Sequence, residues 1–253
     1  MIREPFATGD SVMHRLDPRV KVLSATAYSF LVALSYHFTT LWAALVFSLF
    51  LVASARYRPT AVLQRLVPVN GLILFFWAVV PVTFQGETLL TLGPLQITRE
   101  GILLSARITL KSNAIILAVM ALVASSPVAV LGHALGRLHV PEKMVHLLMM
   151  TYRYVFVIEQ EYQRLLRSAK IRGFRPATGV HTYRTYAYFL GMLFVKAAGR
   201  AERVHQAMIC RGFRGKFYCL CDFALTPLDW AWSMVLSGGM VGLLVLEWMN
   251  GSW

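Results

Sequence analysis

"VLSATAYSFLVALSYHFTTLWAALVFSLFLVASA" occupies residues 22–55 and contains no Asp, Glu, Lys or Arg. A membrane-spanning helix needs about 20 mainly apolar residues. The 34 residues of this stretch are therefore enough for two short spans. The more polar segment SYHFTT, at 35–40, is the predicted turn between them. The stretch predicts a helical membrane protein.

The composition of the whole chain supports this fold class. Of the 253 residues, 57% are hydrophobic and only 15% are charged, and the mean hydropathy is +0.57. A soluble domain of this size carries about 25% charged residues. Further apolar stretches of span length lie at 66–86, 107–126 and 230–246. We predict an all-α integral membrane protein with about five transmembrane helices.

The basic residues alternate between the predicted connections. Four Lys and Arg residues precede the first span, the 35–40 turn has none, and 56–67 has three. The 87–106 connection has one, 127–225 has fifteen, and the tail after Trp248 has none. Cytoplasmic loops of membrane proteins are enriched in Lys and Arg. The pattern therefore predicts a cytoplasmic N-terminus and an external C-terminus.

These predictions divide the chain into three parts. Residues 1–126 hold four N-terminal spans, 127–225 form a cytoplasmic or partly embedded region, and 226–253 hold the last span. The middle part has fifteen basic and five acidic residues, so it carries +10 of the net charge of +13. Its apolar runs, at 145–152 and 185–195, are too short for full spans. Such runs fit helices that lie at the membrane interface.

The middle part contains Arg-Gly-Phe-Arg twice, at 172–175 and 211–214, and the two copies are 39 residues apart. Each copy follows about 30 residues of helix-like sequence. Gly just after the last helical residue is typical of a left-handed C′ cap, and a cation in the last turn suits the helix dipole. The repeat predicts two equivalent helix ends.

Each arginine also ends an apolar stripe along its helix. The residues recur at steps of three and four, which places them on one helical face. The first stripe leads to Arg172 and the second to Arg211: Ile158, Tyr162, Leu165 and Ala169; Ala197, Ala201, Val204 and Met208. Two equivalent helix ends suggest two equivalent binding sites, which a partner with two like subunits would supply.

Three interpretations of the basic region compete. It could bind nucleic acid, lie on anionic lipid, or dock a cytoplasmic partner. No nucleic-acid-binding motif accompanies the charge, so a nucleic-acid partner is disfavoured. Contact with the lipid bilayer fits some of the basic residues. Docking of a partner rests on the repeated motif.

At this point the sequence resembles the transmembrane T component of energy-coupling factor (ECF) transporters, in the cobalt/nickel (CbiQ-type) group. The signature of that family is a pair of Ala-Arg-Gly-like triplets that end two cytoplasmic helices, and here these triplets read IRG (171–173) and CRG (210–212). Ile and Cys replace the usual Ala, so only Arg and Gly carry over. Further matches are GDSVMHRLDPRVK, LGHALGRLHVP and TYRYVFVIEQE, at 9–21, 131–141 and 151–161.

The resemblance implies a non-catalytic subunit of a metal importer. It would join a membrane-embedded, metal-binding S component to two cytoplasmic ATPase subunits in the plasma membrane of a bacterium or archaeon. Two long helices would cross and end in the ATPase-coupling residues Arg172, Gly173, Arg211 and Gly212. ATP and Mg²⁺ would be bound by the ATPases, so this chain would need no cofactor. The resemblance leaves open whether the metal is cobalt or nickel.

The motifs that the sequence lacks agree with this interpretation. It contains no GxxxxGK[ST] phosphate-binding loop and no metal-ligand cluster in its spans. His14 and Asp17 are candidate metal ligands, but HRLDP fits a polar start to the first span better. One rival function is a membrane enzyme, which needs converging polar groups and finds few besides Asn70 and Asn113. Another is a self-sufficient secondary transporter or channel, which predicts related halves.

Overall fold

The computed structural model describes residues 11–84, 87–92, 95–138, 140–213 and 227–251. These residues are mostly helical, so the predicted all-α fold class is confirmed. In chain order the elements are α1 (Val12–Arg15), α2 (Pro18–Leu34), α3 (Phe38–Ser54), α4 (Pro59–Thr83), β1 (Thr88–Leu92), β2 (Leu95–Thr98), α5 (Arg99–Leu122), α6 (Val128–Arg137), α7 (Glu142–Ile171), α8 (Val180–Cys210) and α9 (Pro227–Gly251).

The described residues form two compact units. The membrane unit combines 11–131 with 227–251, and the long-helix unit comprises 132–213. The three-part division at 126/127 and 225/226 concerns location relative to the bilayer, and it stays a prediction.

Three of the described helices, α4, α5 and α9, are long and apolar enough to cross a membrane. Helix α3 is apolar but shorter, with 17 residues. Helix α2 also has 17 residues, and it carries Lys21 near its start. The turn between α2 and α3 falls at 35–37, within the predicted segment. The chain is an integral membrane protein, and the full count of five spans stays a prediction.

Helix α5 packs against α2, α3 and α4, while α9 packs against α2 and α3. One cluster of buried side chains joins four of these helices: Tyr28, Val32, Leu41, Ala44, Ala114, Ala118 and Leu243. The Tyr28 hydroxyl donates a hydrogen bond of 2.7 Å to the Ala44 carbonyl. This bond satisfies the polar end of the tyrosine inside an apolar core. The small alanines let the helices approach closely, as in other membrane bundles.

Two helices begin earlier than the predicted spans. Helix α4 begins at Pro59, where proline suits the first helical position, so Arg65 lies in the helix rather than in a loop. Helix α5 begins at Arg99 because the Thr98 side chain accepts a hydrogen bond of 3.3 Å from the Gly101 N–H. Apolar stretches mark the middle of a helix and miss a charged first turn.

A short β-hairpin, which the helical prediction did not include, lies in the connection between α4 and α5. Strand β1 pairs with β2 in antiparallel fashion, and Leu92 lies opposite Leu95. In the sequence the strands are separated by Gly93 and Pro94, two residues that favour turns.

Polar contacts join α4 to α5 within the predicted spans. The side-chain amides of Asn70 and Asn113 bond to each other, with N–O distances of 3.3 and 3.0 Å. The Trp77 indole donates to the Thr109 hydroxyl at 2.9 Å. Hydrogen bonds between helices stabilise membrane bundles. Because the two asparagines satisfy each other, they have a packing role and do not support the membrane-enzyme interpretation.

Two residues of the N-terminal motif DPRVK belong to a buried ion cluster. We use this name for Asp17, Lys21, Ser126 and Asp229, which are 6%, 1%, 6% and 2% exposed. Asp17 caps α2 by accepting from the Arg19 N–H, and its own N–H donates to the Asp229 carboxylate at 2.7 Å. The Lys21 ammonium donates to the Ser126 hydroxyl at 2.7 Å and is attracted by both carboxylates. The cluster therefore ties the start of α2 to the α5–α6 connection and the start of α9.

Candidate functional site

The candidate site lies on the two long helices of the long-helix unit. Helix α7 has 30 residues and α8 has 31, so each is about 45 Å long at the usual rise per residue. Helix α7 contains no buried residue, and the only one in α8 is Thr182. The pair therefore presents most of its surface to lipid, water or other subunits.

Helix α7 ends in a Schellman motif at the first Arg-Gly-Phe-Arg. The Gly173 N–H donates to the Lys170 carbonyl and the Phe174 N–H donates to the Ala169 carbonyl, both at 3.0 Å. Gly173 has φ +86°, in the left-handed region. These two bonds and the glycine conformation define the motif.

Helix α8 ends in the same way at the second copy. The Gly212 N–H donates to the Ile209 carbonyl at 2.9 Å, and the Phe213 N–H donates to the Met208 carbonyl at 3.0 Å. Gly212 has φ +79°. The predicted left-handed glycine after each helix is confirmed at both sites.

Arg172 and Arg211 occupy the same position in these two motifs. Each is the C-cap residue, with φ of −80° and −88° respectively, and each is exposed. Within the part of the chain that the structure describes, neither guanidinium has a hydrogen-bond or ion-pair partner. Both therefore keep their full donor capacity for a group outside these residues. Arg214, in the second motif, lies outside the described residues.

The phenylalanine of each motif contacts the start of the other helix. Phe174 packs edge-on against Tyr186 and Phe189 of α8, with ring centroids 5.9 and 6.1 Å apart. The Phe213 ring lies 6.5 Å from the ring of His146, near the start of α7. The helices are therefore antiparallel. The two arginines stand at opposite ends of the pair, roughly 35 Å apart at the usual helical rise.

An ion cluster joins the two helices near their midpoints. The Glu161 carboxylate of α7 lies 3.2 Å from the Lys196 ammonium and 3.5 Å from the Arg200 guanidinium of α8. We call these three residues the central ion cluster. Arg164, one turn along α7, adds a third cation at 3.4 Å. No local sequence pattern indicates Glu161, although it precedes Arg200 by 39 residues, the spacing of the repeated motif.

The central ion cluster is stable at neutral pH. The hydrogen bond from Lys196, helped by the nearby cations, lowers the pKa of the Glu161 carboxyl below its usual value. A carboxylate with a lowered pKa contributes its stabilisation above the ordinary Glu range and loses it as the pH falls through the lowered value. The cluster therefore persists through the neutral range and is lost in acid.

An apolar groove of about 320 Å³ lies beside this cluster, between α7 and α8. Residues of both predicted stripes line it, including Ile158 of α7 with Ala197 and Ala201 of α8. Ile158, Ala197 and Ala201 thus meet where α7 and α8 contact each other. The remaining stripe residues are half-buried: Tyr162, Leu165, Ala169, Val204 and Met208.

The residues weighed as metal ligands have other contacts. The His14 Nδ1 lies 2.6 Å from the Ser11 hydroxyl, and its ring packs edge-on against Tyr57. Asp17 belongs to the buried ion cluster. Among the residues that the structure describes, no three His, Cys, Asp or Glu side chains are grouped to hold a metal ion.

The glycine caps allow a test of the backbone geometry alone. A Cβ atom built on Gly173 meets no heavy atom within 4 Å. Gly173→Ala therefore adds no clash, and its cost of about 1 kcal/mol comes from the left-handed φ. We expect Gly173→Asn to cost less, because asparagine tolerates this region. Thermal unfolding of the purified chain measures both, and equal stability of Ala, Asn and Gly would contradict the strained cap.

Comparisons with known proteins agree with this architecture. The family model CbiQ, described as "Cobalt transport protein", matches residues 9–219. Proteins named "Energy-coupling factor transporter transmembrane protein EcfT" are similar over most of the chain. The one from Listeria innocua is 29% identical, covering 85% of each chain. Those from Thermosediminibacter oceani and Bacillus subtilis are 27% and 26% identical, covering 83% and 85% of each chain.

Proposed function

We propose that this chain, which belongs to the CbiQ family of transmembrane T components of ECF transporters, transmits motion from two ATPases to a metal-binding S component. The chain is a transporter membrane subunit, and we assign it no catalytic role of its own. Membership of this family disfavours both rivals, the membrane enzyme and the self-sufficient secondary transporter or channel.

One observation carries the coupling proposal. Two Arg-Gly-Phe-Arg ends have the same cap geometry, and each presents an exposed arginine at the tip of a helix about 45 Å long. A guanidinium forms strong, charge-assisted hydrogen bonds with carboxylates and carbonyls. We assign Arg172 to one ATPase and Arg211 to the other. The left-handed glycines end each helix directly after its arginine, which leaves the arginine at the helix tip.

The transported substrate in this proposal is Co²⁺ or Ni²⁺. The description of the family model supports cobalt, and specificity would reside in the S component. ATP and Mg²⁺ would bind to the ATPases. The lipid bilayer surrounds the membrane unit, and the proposal gives nucleic acid no part.

The orientation proposed for the chain is testable by itself. The Lys and Arg distribution supports a cytoplasmic N-terminus and 127–225 region in a prokaryotic cell, with the C-terminus outside. A reporter enzyme that is active only outside the plasma membrane should be active when fused to Trp253. The same reporter should be inactive when fused after Pro176. Activity at Pro176 and none at Trp253 would overturn the orientation.

Reconstitution tests the proposed function. The tagged chain is expressed with the ATPase and S-component genes of its own organism, and the purified complex is placed in vesicles. We expect two ATPase subunits per chain by native mass spectrometry. ATP-dependent uptake of Co²⁺ or Ni²⁺ should require all components. Uptake by the chain alone, or ATP hydrolysis by it, would contradict the proposal.

A further inference from the structure

The central ion cluster lies at equivalent positions of the two long helices. Glu161 and Arg200 are 39 residues apart, and so are Arg172 and Arg211. Arg172 therefore follows Glu161 by 11 residues, and Arg211 follows Arg200 by the same number. Eleven residues make about three turns, or about 16 Å. The two helices thus extend equal lengths from the cluster and present each arginine at nearly the same angle.

Packing alone gives this pair little rigidity. No side chain of α7 is fully buried, and an open apolar groove of about 320 Å³ lies beside the central ion cluster. Close-packed interiors hold helices in place because displacement opens voids, and this pair lacks such an interior. Polar contacts across the pair therefore have a large share in setting its geometry.

The cluster depends on one carboxylate. Glu161 is only 14% exposed, whereas its cross-helix partners Lys196 and Arg200 are 43% and 40% exposed. Arg164 brings a third positive charge to the same carboxylate. Without the carboxylate, one cation of α7 and two of α8 repel each other across the contact. Loss of Glu161 therefore converts an attraction between the helices into a repulsion.

We propose that Glu161 is a positioning residue that holds the two long helices together at their equivalent midpoints. Held there, the two arginine tips keep a constant separation, and a displacement of one tip is transmitted to the other. The part of this inference that concerns transport rests on the proposed function. The part that concerns geometry is a property of this chain alone.

The geometric part is tested on the purified full chain. Spin labels are attached to Lys170→Cys, near the end of α7, and to the native Cys210, an exposed thiol near the end of α8. Cys219 and Cys221 are first replaced by serine. The parent chain should give one narrow distance distribution. Glu161→Gln should broaden it and shift it to longer distances, while the control Glu202→Gln, an exposed acid of α8, should leave it unchanged.

Charge reversal separates an ionic role from a merely structural one. Glu161→Arg and Arg200→Glu should each broaden the distribution, and the double variant should restore it in large part. If Glu161→Gln does not insert, the double variant Lys196→Met, Arg200→Met replaces it. An unchanged distribution in that variant, or in Glu161→Gln, would overturn the inference.

The transport part is tested in the reconstituted complex. With Glu161→Gln the ATPases should still co-purify, because Arg172 and Arg211 are unaltered. The metal imported per ATP hydrolysed should fall about tenfold, which lies in the usual range of coupling between two sites. Unchanged import per ATP would overturn the inference and leave the proposed function standing. Failure of the ATPases to bind even the parent chain would overturn the proposed function and leave the distance measurements valid.

Discussion

Replacing both Arg172 and Arg211 by alanine should nearly abolish metal uptake while the chain still inserts into the membrane. Both side chains are exposed, and a surface charge of this kind contributes little to folding. At an interface, removing one member of a buried charge pair costs about 2–5 kcal/mol, because the partner charge is left unpaired. The double variant should therefore lose both ATPases, as measured by co-purification, and with them uptake.

Each single variant should lower uptake by much more than half. In the proposed mechanism the two ATPases must be moved together, so one weak contact impairs the whole cycle. Arg175→Ala and Arg214→Ala are the matched controls, because these residues lie beyond the glycines, and their effects should be milder. Normal uptake in both single variants together with loss in the controls would mean that the contact residues have been misassigned. No effect in any variant would reduce both motifs to helix caps.

Lys21→Met should destabilise the membrane unit by about 1–3 kcal/mol, the usual cost of leaving a buried hydrogen-bonding group without its partner. The substitution keeps the length and the apolar stem of the side chain. It removes the hydrogen bond to the buried Ser126 hydroxyl and one positive charge that attracts the buried carboxylates of Asp17 and Asp229. Chemical unfolding in detergent measures the change.

Two further variants make this result specific to the buried ion cluster. Lys143→Met is the matched control, because Lys143 is exposed on α7, and it should leave the free energy of unfolding nearly unchanged. Adding Asp229→Asn to Lys21→Met removes one of the buried negative charges that Lys21 attracts and should recover part of the loss. Equal stability of Lys21→Met and Lys143→Met would refute the role assigned to the cluster.

The features that the sequence predicted well depend on local physics. The 22–55 stretch predicted two helices with a turn, and they are observed as α2 and α3, because length and apolarity alone require them. The left-handed Gly173 and Gly212 were predicted because only glycine enters that region without strain. A conformation that depends only on local interactions can be predicted from the residues that adopt it.

The missed features depend on which helices become neighbours. Glu161 is one of five acids in the basic region, and nothing in its local sequence shows that Lys196 and Arg200 will lie beside it. Asp229 likewise meets Asp17 across 212 residues of sequence. The early starts of α4 and α5 were missed for a different reason, because apolar stretches report hydropathy and not helix capping.

The absence of buried residues along α7 has a consequence for the life of the chain in the cell. Such a helix gains most of its burial only when lipid and partner subunits cover it, so its stability is linked to their concentrations by mass action. In a chain made in excess of its partners, this helix stays uncovered for longer and is exposed to proteases. We therefore expect the cellular abundance of this subunit to follow the supply of its partners, so that degradation of orphan copies sets the stoichiometry of the complex.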